Sequence, residues 1–128
     1  MTQLTVYGGA NEIGGNKILL EDRDTRMFLD FGEPFSMAEN YFVDWLKPRD
    51  RFGLRDYFHF DMIPRIPGLY DEEWLADTDL KHVPPEFDAI FLSHMHSDHF
   101  AGIFMLMQGF WLEQRHKPLP VHMPAEGI

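Results

Sequence analysis

The sequence predicts a mixed α/β (α+β) fold, and three observations carry that prediction. Short apolar runs broken by glycine-rich turns open the chain, which is the pattern of strands joined by tight connections. A later apolar run, Ala89 to Leu92, leads directly into His94-Met95-His96-Ser97-Asp98-His99. Apolar residues at helical spacing follow that polar run, from Phe100 to Gln114.

Taken in order, Leu4-Thr5-Val6-Tyr7 reads as a first short strand. Gly8 to Asn16 holds four glycines in nine residues and reads as a turn, since glycine permits tight backbone reversals. It opens no helix and carries no Gly-Lys-Ser/Thr, so it is not a phosphate-binding P-loop. Lys17 to Glu21 is a second strand, and Met27-Phe28-Leu29-Asp30-Phe31-Gly32 a third that ends in a turn. Ser36 with Glu39 fits a capping box, which places a helix from Met37 to Lys47, stopping before Pro48. Its apolar face would hold Met37, Tyr41, Phe42 and Trp45. Tyr57-Phe58-His59-Phe60 is aromatic, and Pro64 and Pro67-Gly68 precede a short helix at Asp71 to Ala76. The aromatics of this middle segment either cover the sheet or, with Trp45, line a lid over a site. The helix from Phe100 is packed by Ile103, Phe104, Met107, Phe110 and Trp111, and small Ala101 and Gly102 allow it to approach the sheet closely. Leu119 to Met123 is a last candidate strand.

The polar run behind Ala89–Leu92 carries the chemistry. It places three imidazoles and one carboxylate in six residues, the usual ligand types for zinc and similar divalent ions. In an extended segment His94 and His96 point the same way and can chelate one ion, while Met95 points to the core. Asp98 and His99, at the start of the next helix, can reach a second ion or complete the first. The bland alternative is a polar turn with solvated histidines. His59 and His82 have no ligand-type partner at useful spacing, and His116 and His122 read as a helix-end residue and a strand residue.

Phe87-Asp88-Ala89-Ile90-Phe91-Leu92-Ser93 followed by His-Met-His-Ser-Asp-His resembles the His-x-His-x-Asp-His motif of the metallo-β-lactamase superfamily. The resemblance implies that His94 and His96 bind a first metal and Asp98 and His99 a second, with Asp98 also the catalytic residue. It implies zinc, two divalent ions in a complete site, with manganese or iron as alternatives. Gly8, Gly9, Glu12, Ile13, Gly14 and Asn16 resemble the opening of ribonuclease J-like and other β-CASP members. Met27 to Gly32 resembles the family's first motif, so Asp30 would stand behind the ligand loop and orient it by hydrogen bonding. The diiron branch usually has Glu where His96 stands and is disfavoured. The implied fold is half of an αββα sandwich, a mixed sheet with helices on one face. Residues 1–128 would be the N-terminal part of such a domain, with 33–86 inserted between the two motifs and the second half absent. The third His, bridging Asp and last His of the family would lie in that second half.

Composition bounds these readings. A length of 128 residues suits one domain, and 45% hydrophobic content with twelve Phe can bury a core. A net charge of -10 disfavours nonspecific contact with nucleic-acid phosphates, although bound divalent ions would offset it locally. Without cysteine, every metal ligand must be nitrogen or oxygen. No secretory leader or spanning helix is visible, so a cytoplasmic protein with no membrane association is expected. The expected activity is hydrolysis of a phosphodiester (RNA) through a metal-bound hydroxide by the intact protein, this chain alone being inactive. The alternatives are a small ester or thioester as substrate, or a non-catalytic metal-binding scaffold. A homo-oligomer or pairing with the missing half is the expected assembly. No substrate-binding residue is assigned.

Overall fold

The computed structural model describes residues 1–37, 48–84, 87–104 and 118–125. Its centre is one five-stranded mixed sheet, in the order β1 (Thr2–Gly8), β2 (Lys17–Asp22), β3 (Thr25–Phe31), β4 (Ala89–Phe91) and β5 (Val121–His122). The first three strands form an antiparallel meander, as their short turns require, and β3–β4 and β4–β5 pair in parallel. The α+β class and open mixed sheet expected from the sequence are therefore present.

The meander has two irregularities, one on each side of β2. Towards β1, the register passes from Val6↔Ile18 to Gly8↔Lys17, so Tyr7 is an extra residue in β1. Towards β3, it passes from Ile18↔Leu29 to Lys17↔Phe31, so Asp30 is an extra residue in β3. Such bulges bend a strand and re-aim a side chain. Asp30 adopts φ 59°, a left-handed conformation uncommon outside glycine, and local strain of this kind concentrates at functional positions.

One face of the sheet is covered. Leu19, Phe28, Phe31 and Ile90 from the strands meet Leu54, Tyr57, Phe58, Met62, Ile66 and Tyr70 from the segment between β3 and β4. The described part of the insertion thus supplies much of the core, and Tyr57 and Phe58 are packing residues. They lie on α1 (Arg55–His59), and α2 (Glu72–Leu75) adds Leu75. Phe28 stacks on Phe87 at 5.2 Å, and the buried Tyr70 hydroxyl donates to the Pro64 carbonyl at 2.7 Å. Arg49 clamps α1 through Asp56 (2.7 and 3.1 Å) and holds that carboxyl down to about 2, so the pair's contribution persists at neutral pH and is lost only under strong acid.

Two helix starts differ from expectation. Helical conformation begins at Phe35, so Ser36 lies inside the first turn and not at its cap. The rest of that expected helix, 38–47, with Trp45, lies outside the described residues. The later helix begins at Ser97 and not Phe100: α3 spans Ser97–Phe100, followed after Ala101 by helical residues 102–104. His96 supplies the extended cap residue there, so the polar run itself turns the chain into the helix. The expected continuation through Gln114, with His116, lies outside the described residues. No described helix is long and apolar enough to cross a membrane.

The opposite sheet face carries apolar residues that stay open. Leu4↔Leu20, Val6↔Ile18 and Leu29↔Phe91 are cross-strand partners, and Leu4, Val6 and Phe91 are 61%, 57% and 42% exposed. Among the described residues the sheet thus has one packed face and one that exposes apolar side chains.

Candidate metal centre

The chain leaves β4 at Leu92, turns through Ser93 to His96, and enters α3. The path is fixed from below by one carboxylate. Asp30, only 7% exposed, accepts the Ser93 backbone N–H at 2.7 Å, the Ser93 hydroxyl at 2.8 Å and His99 Nδ1 at 2.7 Å. Burial pushes the Asp30 carboxyl up, but the Ser93 amide, the His99 ring and the Ser93 hydroxyl outweigh it, and the net value falls below the ordinary one. Asp30 is therefore an ionised acceptor at neutral pH.

That ionisation fixes the protons around it. A carboxylate only accepts, so His99 Nδ1 carries the hydrogen it shares with Asp30. Ser93 Oγ has one hydrogen and gives it to Asp30. It must then accept from His94 Nδ1, which lies 2.9 Å away. Both imidazoles thus present an Nδ1–H to this network and keep Nε2 outside it, with His99 Nε2 turned towards Asp98 Oδ2. This is the arrangement by which a carboxylate behind a histidine prepares it to bind metal. Asn16 Nδ2 approaches the same His99 nitrogen at 3.4 Å, too far and on the wrong tautomer to displace Asp30.

The rings are close together. His94 and His99 have centroids 3.9 Å apart, His94 and His96 4.8 Å, and Asp98 Oδ2 lies 3.4 Å from His99 Nε2. Met95 packs against the core, as the alternation predicts. The structure therefore gathers His94, Asp98 and His99, and joins the exposed His96 through His94. Among the described residues, no three or more His, Asp or Glu side chains are set to hold one ion. The donor types and anchored tautomers fit a divalent metal, but as one wall of a site. His59 and His122 lie in ring contacts with Phe60 and Phe91, apart from this cluster.

Two glycine segments seat the loop. Gly15 N–H donates to the Asp98 carbonyl at 2.9 Å. A Cβ on Gly14 (φ 77°) would lie 2.5 Å from Asp98 Cβ, and one on Gly32 would collide with the Asp98 carbonyl and come within 2.8 Å of His99 Cα. Gly102 passes similarly close to the Phe31 carbonyl, 2.7 Å from a Cβ placed there, as the small residues at 101 and 102 suggest. Beside the loop, Glu33, Pro34, Phe35, Ser97 and Ala101 line a small cleft of about 170 Å³. Sequence reasoning did not assign Ser93 or the glycine seat. The signals were there: a hydroxyl beside the first histidine, and Gly32 two residues after a buried Asp.

No family model matches the chain. Three curated relatives do, each named ribonuclease Z. The protein from Methanococcus maripaludis strain C7 is 44% identical over 59 residues, covering 46% of this chain and 18% of that protein. The one from strain S2 of the same species is 38% identical over 61 residues, and that from Archaeoglobus fulgidus 31% over 61 residues. The matches span only 18–19% of the relatives' length. In structure, the chain is similar to a protein of unknown function from Enterococcus faecalis V583, with a TM-score of 0.52 and 27% identity, over 77% of this chain and 22% of the other. These likenesses support the resemblance to the metallo-β-lactamase superfamily and do not single out its ribonuclease J-like branch.

Proposed function

We propose that the intact protein is a metal-dependent hydrolase of phosphodiesters, with RNA as its substrate and zinc as its metal. The observation that supports this best is the anchoring of two imidazoles by one carboxylate, His99 directly by Asp30 and His94 through Ser93, which leaves both Nε2 atoms outside that network on one loop. Bound divalent ions would supply Lewis acidity and an activated water for attack at phosphorus. This chain's part is to present His94, His96, Asp98 and His99 as ligands and to fix their orientation with Asp30. Asp98, in the first turn of α3 with its side chain 14% exposed, is the carboxylate that would also position the attacking water. The similarity to proteins named ribonuclease Z favours RNA, as does the likeness of Gly8–Asn16 to β-CASP enzymes.

The remaining ligands would come from a further part of the intact protein, which would cover the open sheet face at Leu4, Val6 and Phe91. A homo-oligomer is the other way to bury that face. The charge of -10 favours one competing reading, a small ester or thioester as substrate. Hydrolysis assays on the intact protein separate these. The expected result is cleavage of RNA and of bis(p-nitrophenyl) phosphate, reduced at least about 100-fold by His96→Ala or Asp98→Ala. Unchanged rates in those variants would rule out the assignment, and cleavage of thioesters alone would replace the substrate.

A further inference from the structure

Lys17 takes no part in the metal centre, yet it occupies the most irregular point of the sheet. It is the β2 residue opposite both bulges, with Tyr7 extra on one side and Asp30 extra on the other. It is only 5% exposed, unusual for a lysine. Its ammonium lies 5.7 Å from the Phe31 ring centre. Among the described residues that ammonium forms no hydrogen bond or ion pair, so Lys17 is not the paired lysine that burial normally demands.

Its side chain borders two adjoining clefts. One, of about 210 Å³, is lined by Gly8, Glu12 and Phe60. The other, of about 380 Å³, is lined by Ile63, Pro64 and Arg65. Tyr7, Lys17 and Asp61 are common to both. Bulges that point an amine into open space beside a phenol and carboxylates build a place for amine chemistry. The geometry points to Lys17 as a nucleophilic amine that forms an imine with small uncharged aldehydes entering this double cleft.

Desolvation supports the reading. Burial lowers the Lys17 ammonium to about 8, against the opposing fields of Glu12 and Glu33. At pH 7.5 roughly a quarter of such an amine is neutral, against about 0.1% for an ordinary lysine. The neutral nitrogen attacks the carbonyl carbon, and the C=O electron pair moves to oxygen, which takes a proton. Loss of that oxygen as water, with one further proton, leaves a protonated C=N bond on Lys17. The net change is amine plus aldehyde plus one proton giving iminium plus water, with no oxidation. Substrate charge follows from the lining: Glu12 and Asp61 repel anions, and Arg65 is engaged by Asp79.

The test is reductive alkylation of the intact protein at pH 7.5 with cyanoborohydride and either propionaldehyde or glyoxylate, read lysine by lysine by peptide mass spectrometry. Exposed Lys81 is the internal reference. With propionaldehyde, Lys17 should react at least about five-fold faster than Lys81, and with anionic glyoxylate that lead should vanish. Equal or slower reaction at Lys17 with propionaldehyde, or an undiminished lead with glyoxylate, overturns the proposal. Neither outcome depends on whether the protein hydrolyses RNA.

Discussion

Asp30→Asn is expected to weaken metal retention and hydrolysis by the intact protein about 10- to 100-fold, with little loss of fold. The substitution keeps the shape of the side chain but replaces one acceptor by a donor. Three donors meet Asp30 in the structure: Ser93 N–H, Ser93 Oγ–H and His99 Nδ1–H. An amide cannot accept all three, so either Ser93 turns away and releases His94, or His99 changes tautomer and puts its hydrogen on Nε2. The first outcome leaves the His94 ring unanchored and the second blocks His99 Nε2 with a hydrogen, so each disturbs a nitrogen that would bind metal. Metal titration of wild type and variant, alongside thermal unfolding, checks this. Equal affinity at equal stability would mean that Asp30 does not orient the ligands.

Gly32→Ala should act through packing and be severe. The new methyl would overlap the Asp98 carbonyl and crowd His99 Cα, which are backbone atoms that cannot rotate away. Either the glycine seat opens or the start of α3 shifts. A destabilisation of about 3 kcal/mol or more is expected, a fall in Tm of roughly 10 °C. Denaturant unfolding measures it, and a Tm within a degree or two of wild type would show that the loop has room the structure does not give it.

Much of this arrangement was legible in the residues. The meander followed from apolar runs and glycine turns, and β4 from its position before the histidines. The donor-rich run from His94 to His99 stood out in the sequence, and the structure brings His94, Asp98 and His99 of it together. What could not be read was the local register. Phe28-Leu29-Asp30-Phe31 looks like a simple alternating strand, yet Phe28, Asp30 and Phe31 are all buried because Asp30 is a bulge. Alternation alone does not reveal an extra residue, so neither the aim of Asp30 nor the position of Lys17 between two bulges could be foreseen. Ser93 was hidden for a different reason. A serine at a strand end is common, and only its three partners, brought together across 63 residues of chain, make it a junction. The start of α3 was placed too late because polar His96 to His99 break the apolar pattern while still beginning the helix.

Metal content of the intact protein tests the central claim most directly. After exhaustive dialysis, elemental analysis should find about one to two divalent ions per chain in wild type. The paired substitution His94→Ala with His99→Ala should lose most of that metal while the sheet still folds. A wild-type protein that retains no divalent metal, or a doubly substituted one that retains as much as wild type, would contradict the account.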